Sequence, residues 1–255
     1  MRVPLADVGR RGRMELTFAL QDSRTVLQNA YCEVPFKVTR LLNAHAPIAT
    51  LILMHSTAGL FGGDELECSI RVEKEARVRI TQQSATKIHP SEDRVAVQRT
   101  HVFVEAGAEL QFHLEPIIPF ADSRLRQQTQ LNIEQGGRLS YWEGFMTGRV
   151  GRGESWQFRE FASETILRYG GRLAYLDRFR LLPNGQQQST WTMGNADYTG
   201  IGLHVGEDAR SRASELHRAL PEAGIDTLSD SVTLARVVSP SGPHFHHCRE
   251  MFCRR

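Results

Sequence analysis

Long hydrophobic runs and a charge imbalance are absent from this sequence, and we expect no secretory leader. No stretch approaches the roughly 18 consecutive apolar residues that a membrane-spanning helix needs, and the longest apolar run, Ile48 to Met54, has the length of a buried strand. The basic residues near the N-terminus are followed by no apolar segment, so they predict no secretory signal. Because 31 Lys and Arg nearly balance 29 Asp and Glu, we expect neither nucleic acid nor a membrane as a partner.

Cysteine is also scarce. The four cysteines, Cys32, Cys68, Cys248 and Cys253, are too few for a disulfide scaffold in a chain of 255 residues. Together with the missing secretory signal, this favours a reducing compartment, so we predict a cytoplasmic protein. The apolar fraction of 40% and the charged fraction of 24% are those of an ordinary globular chain that can bury a sizeable core.

Sequence motifs of the common nucleophilic and nucleotide-dependent enzymes are missing as well. The chain contains no GxSxG, no Walker phosphate loop and no HExxH. The segment GRVGRGES, residues 148–155, is rich in Gly and Arg, but it follows a strand pattern and lacks the strand–loop–helix setting of a phosphate loop. A turn closed by an Arg–Glu pair explains this segment at least as well.

One pattern of alternating apolar residues recurs four times. The copies begin at Ile70 (IRVEKEARVRI), Val102 (VFVEAGAELQF), Leu131 (LNIEQGGRLSY) and Thr165 (TILRYGGRLAY), about 30 residues apart. Each places apolar residues at every second position on both sides of a short turn that mostly contains Gly, which is typical of two strands joined by a tight turn. A repeat of this length predicts one structural unit that stacks on its neighbours.

The repeats therefore predict an all-β fold of repetitive stacked hairpins, built as a β-solenoid-like or elongated β-sandwich body. An ordinary β-sandwich is the alternative, because alternation with Gly turns is the general all-β pattern. Two short helices are expected near the C-terminus, one from Asp208 to Leu220 with Asp208 as its cap, and one starting at Pro243.

The chain shows no linker that would divide it. We therefore predict a single domain over residues 1–255, with a β body at about 14–205 and a helical element at about 206–255.

Two segments carry more polar groups than a strand interior should. SATKIHPSEDR, residues 84–94, contains Lys87, which needs a partner if it is buried and none if it is solvated. GLFGGDEL, residues 59–66, places Asp64 after a double glycine. Asp64 fits either a ligand for a divalent cation or an ordinary turn residue.

A third segment, HFHHCREMFC, resembles a metal site in composition. His244, His246, His247 and Cys248 lie within five positions and could bind nickel or zinc. Their spacing matches no standard zinc module, however. An amphipathic helix that covers a sheet with Phe245, Cys248 and Phe252 is equally consistent with the sequence.

Several of these segments together resemble the urease accessory protein family UreD, called UreH in some organisms. The resemblance runs from about Met14 to about Leu182, and a weaker similarity continues to Val238. Its markers are GLFGGDEL, ITQQSATKIH, LEPIIPF and the pair Gly148-Arg149 with Gly153-Glu154. Each marker is short, but their order and spacing together are specific.

The resemblance implies a mostly β, helically wound body with a helical C-terminal element, and a function without catalysis. Members of this family are scaffolds that bind UreF, which recruits the GTPase UreG. The assembly docks on apo-urease and helps to insert nickel into its active site. The resemblance thus implies UreF, UreG and the urease apoprotein as partners, no tightly bound cofactor, and a transient passage of nickel.

The family also has a proposed polar tunnel for nickel through the β body. The residues of this chain that match the family's motifs are therefore candidates for tunnel-lining or structural polar residues: Asp64, Ser84, Thr86, Lys87, Glu115, Arg149 and Glu154. A conduit needs sparse, weak oxygen ligands, because strong ligands would hold the ion in place. We expect Asp64, Ser84 and Lys87 to lie close together or along one channel inside the body, with the carboxylate beside the ammonium.

Two features at the C-terminal end depart from the family pattern. Family members usually continue beyond the position of Arg255, which leaves open that the chain is truncated there. The run HFHHC has no counterpart among the family's motifs. Both features concern the element through which the family contacts UreF.

Two other functions fit parts of the sequence. A carbohydrate-active β-solenoid enzyme would need two carboxylates roughly 5 to 9 Å apart beside an exposed aromatic groove, and the sequence offers Trp142-Glu143 and Glu154-Ser155-Trp156. A small-molecule-binding β protein is the second alternative. A non-enzymatic metallochaperone scaffold explains more of the sequence than either of these.

Overall fold

The computed structural model describes residues 9–43, 46–183, 194 and 196–254. The strands of the first half are β1 (Arg11–Gln21), β2 (Arg24–Cys32), β3 (Phe36–Val38), β4 (Ala49–His55), β5 (Glu65–Val72), β6 (Arg77–Gln82), β7 (Thr86–Ile88), β8 (Ala96–Val104), β9 (Glu109–His113), β10 (Ile117–Pro119) and β11 (Arg124–Ile133). Those of the second half are β12 (Arg138–Met146), β13 (Gly148–Arg149), β14 (Glu154–Ser155), β15 (Glu160–Tyr169), β16 (Arg172–Leu181), β17 (Tyr198–Val205), β18 (Gly224–Ser229) and β19 (Val232–Ser239). The helices are a short 3-10 turn (Val150–Arg152), α1 (Ala209–Ala219) and α2 (Gly242–Cys253).

Two large sheets build the body of the protein. Sheet A is 7-stranded, in the order β16-β15-β11-β8-β5-β1-β2. Sheet B follows the order β18-β19-β17-β12-β9-β6-β4-β3, with the short strands β7 and β10 beside it. The inward-facing side chains of both sheets form one continuous apolar core, as expected for two stacked sheets.

The repeats form successive coils that cross from one sheet to the other. In the first three copies the leading strand (β5, β8, β11) lies in sheet A and the trailing strand (β6, β9, β12) lies in sheet B. Equivalent strands of neighbouring coils pair in parallel, so that Ile70, Val102 and Leu131 stand side by side. The prediction of a mostly β fold with solenoid-like stacked units is confirmed.

The prediction that these copies are antiparallel hairpins is wrong for three of the four. Four residues separate the leading and trailing strands of the first three copies, as between Val72 and Arg77. This connection turns the chain from sheet A into sheet B. Only the fourth copy is a hairpin, because Gly170 and Gly171, both with positive φ, form the two-residue turn that lets β15 and β16 pair antiparallel. Alternation alone cannot distinguish the two arrangements, since each strand has one buried face in both.

Both predicted C-terminal helices are present and cover the outer face of sheet B. A second apolar cluster joins the helices to the sheet through Trp142, Leu216, Phe245 and Phe252. Gly202 on β17 makes this close approach possible, because a Cβ there would lie 2.5 Å from the Phe252 ring. No helix in the described residues is long and apolar enough to cross a membrane.

The two helix starts differ from each other in how they are capped. Pro243 lies in the first turn of α2, as expected, and Ser241 accepts a hydrogen bond from the His244 backbone N–H. Asp208 is the N-cap residue of α1, as predicted, but its side chain makes no capping hydrogen bond. Its carboxylate instead pairs with the His204 ring at 2.9 Å and with Arg138 at 3.3 Å.

Candidate functional site

Asp64 is buried and acts within a turn. One carboxylate oxygen accepts the Phe61 backbone N–H at 2.9 Å, and the other accepts the Arg10 N–H at 3.0 Å. Gly63 just before it has φ +90, a backbone conformation that favours glycine and allows this tight turn. These bonds tie the turn to the chain that leads into β1. The carboxylate therefore has the structural role of a turn residue, which is one of the two roles that the sequence allowed.

Ser84 and Lys87 do not lie in the interior. Both are exposed, whereas Asp64 is only 4% exposed. The expected pair of a buried carboxylate and a buried ammonium is thus wrong. Strand β7 is short and lies at the rim of sheet B, and its alternation sends Thr86 inward and Lys87 outward. Lys87 is solvated, which is the alternative in which it needs no partner.

Arg149 and Glu154 form a bidentate pair that closes the Gly-rich turn. Strands β13 and β14 place them directly opposite each other, and the Arg149 Nε–H donates to Glu154 at 2.6 Å. The guanidinium also lies over the Phe120 ring, 4.1 Å from its centroid. Hydrogen bonding from Arg149 lowers the pKa of Glu154. The segment is an Arg–Glu turn and not a phosphate loop.

Glu115 connects the body to the C-terminal helix. Its carboxylate pairs with Arg249 of α2 at 2.9 Å, and both side chains are largely buried. Arg249 also donates to the backbone carbonyl of His113 at 3.5 Å. Glu115 therefore lies where the helix contacts the end of β9, and it also lines the first cavity described below.

Between the sheets, the inner face of sheet A carries two rows of polar side chains. Neighbouring strands align Thr100, Thr129 and Thr165 in one row and Gln98, Gln127 and Ser163 in the next. These positions lie two or four residues from buried apolar ones such as Leu131, so they share its inward face. A polar interior needs partners or solvent, because burying a bare amide or hydroxyl costs free energy.

Two cavities follow these polar rows, and an outer recess adjoins the first of them. An outer recess of about 70 Å³ is lined by Ser84, Lys87 and His55, among others. A first cavity of about 30 Å³ shares His55, Gln82 and Thr86 with it. Shared lining residues mean that the hollows adjoin. The first cavity, at about 30 Å³, holds roughly two water molecules.

The second cavity continues the same path. Its volume is about 230 Å³, and it shares Gln127, Glu143 and Gly144 with the first. At its outer end, Arg236 pairs with Asp177 at 3.3 Å, and the Arg236 side chain is about half exposed. Of the seven candidate residues from the sequence, Ser84, Thr86, Lys87 and Glu115 line this path. Asp64, Arg149 and Glu154 belong to the turns described above and line none of the three hollows.

Glu143 stands where the two cavities meet. One carboxylate oxygen accepts the Thr165 hydroxyl at 2.7 Å, and the other accepts the Gln127 amide at 3.3 Å. Its remaining accessible surface faces the cavities, and protein surrounds it on all other sides. Burial raises its pKa above the ordinary value for glutamate.

The sequence pattern of β12 places Glu143 on the inward face of the strand, but the site prediction did not use this pattern. In β12, the inward positions are Leu139, Tyr141 and Phe145, which leaves Glu143 as the one polar residue on that face. The Thr and Gln rows likewise fall at equivalent positions of successive repeats. Aligning inward positions across the repeats, and not only the apolar ones, would have identified the polar interior.

Two further groups contribute to the chemistry of the path. The ring of His55 lines both the recess and the first cavity, and burial lowers its pKa, which favours the neutral imidazole. The side-chain oxygen of Gln98 is buried and has no hydrogen-bond partner among the described residues. Both groups offer a free lone pair to a guest in the first cavity.

The C-terminal candidates separate into two groups. Phe245, Cys248 and Phe252 are buried, as the amphipathic-helix interpretation predicted. His246 and His247 are exposed. His244 and Cys248 lie one turn apart on α2 and meet Glu222, a residue that the sequence did not suggest.

The carboxylates proposed for a carbohydrate-active enzyme are not arranged for that chemistry. Glu154 is held by Arg149 and does not line the cavities that contain Glu143. Trp142 is fully buried beneath α2, and Trp156 is 6% exposed. These two tryptophans therefore cannot form the exposed aromatic groove that sugar binding requires.

Comparison with known proteins agrees with the resemblance noted in the sequence. The family described as UreD urease accessory protein matches residues 10–254. The urease accessory protein UreD of Acetivibrio thermocellus is 34% identical over 179 residues, which cover 70% of this chain and 68% of that protein. UreD of Deinococcus radiodurans is 30% identical over 241 residues, which cover 93% and 87%. UreH of Helicobacter hepaticus is 29% identical over 162 residues, or 64% of each chain. This chain belongs to the UreD family of urease accessory proteins.

Proposed function

We propose that this protein is a non-enzymatic, cytoplasmic scaffold that assists the insertion of nickel into urease. It binds UreF, through which the GTPase UreG joins the assembly, and it docks on the urease apoprotein. Nickel is its transient cargo, and the protein holds no cofactor tightly. The observation that carries this proposal is the polar path between the two sheets, which runs from the recess at Lys87 to the exposed Arg236.

The donors along this path suit an ion in transit. Hydroxyls and amides predominate, and Glu143 is the one carboxylate at the junction of the cavities. Nickel binds groups of imidazole and thiolate much more firmly than it binds neutral oxygens. A path with few strong ligands lets an ion enter and leave, which is the compromise that ion channels also make.

Glu143 supplies the attraction for a cation where the two cavities meet. Burial raises its pKa, so this carboxylate binds a proton more readily than an exposed glutamate does. An arriving Ni²⁺ favours the carboxylate form and displaces that proton. The hydroxyl of Thr165 and the amide of Gln127 keep the carboxylate directed into the cavities.

The ends of the path carry basic groups. Lys87 lies beside the recess, and Arg236 neutralises Asp177 at the far end. Neither end therefore forms a strong cation trap, in agreement with the need for release. The cationic ends also suit contact with acidic surfaces on partner proteins.

Several exposed apolar side chains support a role in protein–protein contact. Leu173 and Leu176 on β16 are 58% and 49% exposed, and Val238 on β19 is 52% exposed. β16 is also the edge strand of sheet A. Apolar side chains at an edge are typical of surfaces that a partner covers.

The direct test is a urease operon expressed with and without this gene. We expect urease from the deletion strain to assemble its subunits but to contain little nickel, and the restored gene to return the nickel. A tagged copy of the chain should retain UreF on a column. If the deletion leaves urease fully loaded with nickel, or UreF does not bind, the proposal is wrong.

A further inference from the structure

Three side chains of different chemistry converge beside the C-terminal helix. His244 and Cys248 lie four residues apart on α2 and so share one face of it. Glu222 comes from the segment between α1 and β18. The His244 Nε2 lies 3.1 Å from the Glu222 Oε1, the Cys248 Sγ lies 3.5 Å from the same oxygen, and Sγ and Nε2 are 3.8 Å apart.

These separations match the edges of a tetrahedral metal site. With bonds of about 2.1 Å to nitrogen and oxygen and about 2.3 Å to sulfur, neighbouring ligand atoms should be about 3.4 to 3.6 Å apart. The three observed distances scatter around these values. Small side-chain adjustments would be enough to seat an ion, because the ligand atoms already surround one point.

The hydrogen bonds around His244 direct the correct ring nitrogen toward this point. The Ser239 hydroxyl donates to the Ser241 carbonyl at 2.9 Å. Since its proton is committed there, it must accept the Nδ1–H of His244 at 2.8 Å. The Nε2 then presents a lone pair, or a proton that an ion can replace, toward Glu222. Metal-binding histidines are usually held by such a bond from the other ring nitrogen.

The surroundings leave room for one more ligand. Cys248 is buried, whereas the side chains of His244 and Glu222 are 34% and 41% exposed. A site with three protein ligands and an exposed side is open to a water molecule in the fourth position. The three residues line none of the hollows between the sheets.

We propose that Glu222, His244 and Cys248 bind one divalent transition-metal ion, Zn²⁺ or Ni²⁺, which fixes α2 to the segment that follows α1. A mixed set of imidazole, thiolate and carboxylate suits these borderline ions and not Mg²⁺ or Ca²⁺, which take oxygen ligands. Binding replaces the thiol proton of Cys248 and any proton on the His244 Nε2, both of which pass to solvent. His246 and His247 take no part.

This inference does not depend on the proposed function. A structural ion at this position would stabilise the helical element whether or not the path between the sheets carries nickel. The two ideas can therefore fail separately, since one concerns metal held by this chain and the other concerns metal delivered to urease.

The test measures metal binding by the full chain, fused to a tag free of His and Cys and stripped with a chelator. Equilibrium dialysis with Zn²⁺ and with Ni²⁺ gives the stoichiometry and affinity. Co²⁺ is the spectroscopic probe, because a cobalt–thiolate bond gives a charge-transfer band that reports a cysteine ligand. We expect one ion per chain, the thiolate band with Co²⁺, and a Tm that rises with Zn²⁺.

Matched variants make the assignment specific. Glu222→Gln and Cys248→Ser should each weaken binding at least about tenfold, and Cys248→Ser should also abolish the cobalt–thiolate band. The double variant His246→Ala/His247→Ala, on the same helix, should bind as the unchanged chain does. Glu222 is exposed, so Glu222→Gln should keep the metal-free Tm and separate ligand loss from misfolding.

Two results would overturn the assignment. One is an unchanged chain that binds less than one ion per molecule at saturating Zn²⁺, Ni²⁺ and Co²⁺. The other is a double variant of the exposed histidines that loses as much affinity as Glu222→Gln, because the ion would then be bound elsewhere on α2.

Discussion

At the scale of single residues, buried polar groups in this protein divide into those that hold the fold and those that face the cavities. Asp64 and Glu160 are examples of the first kind, since backbone N–H groups or guanidiniums satisfy them. Glu143 is of the second kind, because it lines both cavities while hydroxyl and amide side chains hold it in place. Access to a cavity, and not the number of hydrogen-bond partners, thus separates the structural carboxylates from the one that is available to a guest.

The turn role of Asp64 can be tested by substitution. Asp64→Ala leaves the N–H groups of Arg10 and Phe61 without their acceptor, which should lower the free energy of unfolding by about 1 to 3 kcal/mol. Chemical denaturation measures this loss. Nickel delivery per folded molecule should not change. A variant of normal stability that delivers no nickel would restore Asp64 as a conduit residue.

Glu160 should make the protein sensitive to acid. Burial raises its pKa, but hydrogen bonds from Arg126 and Arg180 outweigh burial, so the net pKa is lowered. A lowered folded-state pKa gives stability that is complete above the ordinary value of about 4.3 and is lost as the pH falls through the folded-state value.

Glu160→Gln should therefore reduce the Tm at neutral pH and flatten its decline below about pH 5. Thermal melts across a pH series would check this, with the exposed Glu207→Gln as the control. Identical pH profiles for Glu160→Gln and the unchanged chain would show that the arginine pairs contribute nothing.

At the scale of elements, the sequence predicted strands and helices better than it predicted how strands pair. The apolar run at Ile48 to Met54 is strand β4, and both C-terminal helices lie where expected. The pairing failed because alternation is the same in a hairpin and in a coil that crosses between sheets. The connection length, four residues after Val72 against two after Tyr169, carries that information.

The candidate site was only partly predictable for a related reason. Matching to family motifs found Thr86 and Glu115, which do line the path, but it also selected turn residues such as Asp64. Motifs mark residues that recur in a family. A residue can recur because it forms a turn or because it lines a cavity, and a motif does not distinguish these roles. The sequence identified Cys248 as a candidate ligand but not Glu222, because only the packing of α2 brings Glu222 near.

Substitutions in helix α2 test whether its His and Cys side chains are needed for urease activation. Replacing His244, His246 and Cys248 together by Ala should leave urease activation mostly intact, because these residues lie off the path between the sheets. Urease activity after co-expression is the measurement, and a UreF pull-down confirms that the helical element still folds. Loss of activation in a variant that still binds UreF would show that nickel passes through the α2 cluster.

At the scale of the whole molecule, exposed apolar side chains should make the isolated chain dependent on a partner. A stable complex with UreF should bury more than about 1,000 Å². The chain should therefore be poorly soluble alone and soluble when co-expressed with UreF. Sedimentation of lysates would measure the soluble fraction of the chain when it is expressed alone and when it is co-expressed with UreF. A chain that remains monomeric at high concentration and ignores UreF would contradict the scaffold role.

The stacking of coils also explains how the molecule can contain a path. Every coil contributes equivalent inward positions to sheet A, so polar residues at the same position of successive repeats form continuous rows. At the other inward positions the strands carry apolar residues, and these residues form the continuous core. A polar passage in this architecture needs substitutions at only a few repeat positions, which leaves the rest of the core intact.

The measurement that tests this account most directly is nickel per urease active site after co-expression with Glu143→Gln. This isosteric change removes the ionisable carboxylate at the junction of the cavities, and because burial disfavours its charged form, the variant should be at least as stable at neutral pH. The control is Glu164→Gln on the outer face of the same body, where Arg178 pairs with the carboxylate. We predict reduced nickel with Glu143→Gln and full nickel with Glu164→Gln, with UreF bound in both. Full nickel loading with Glu143→Gln would contradict the account, because the ion would not then pass this carboxylate.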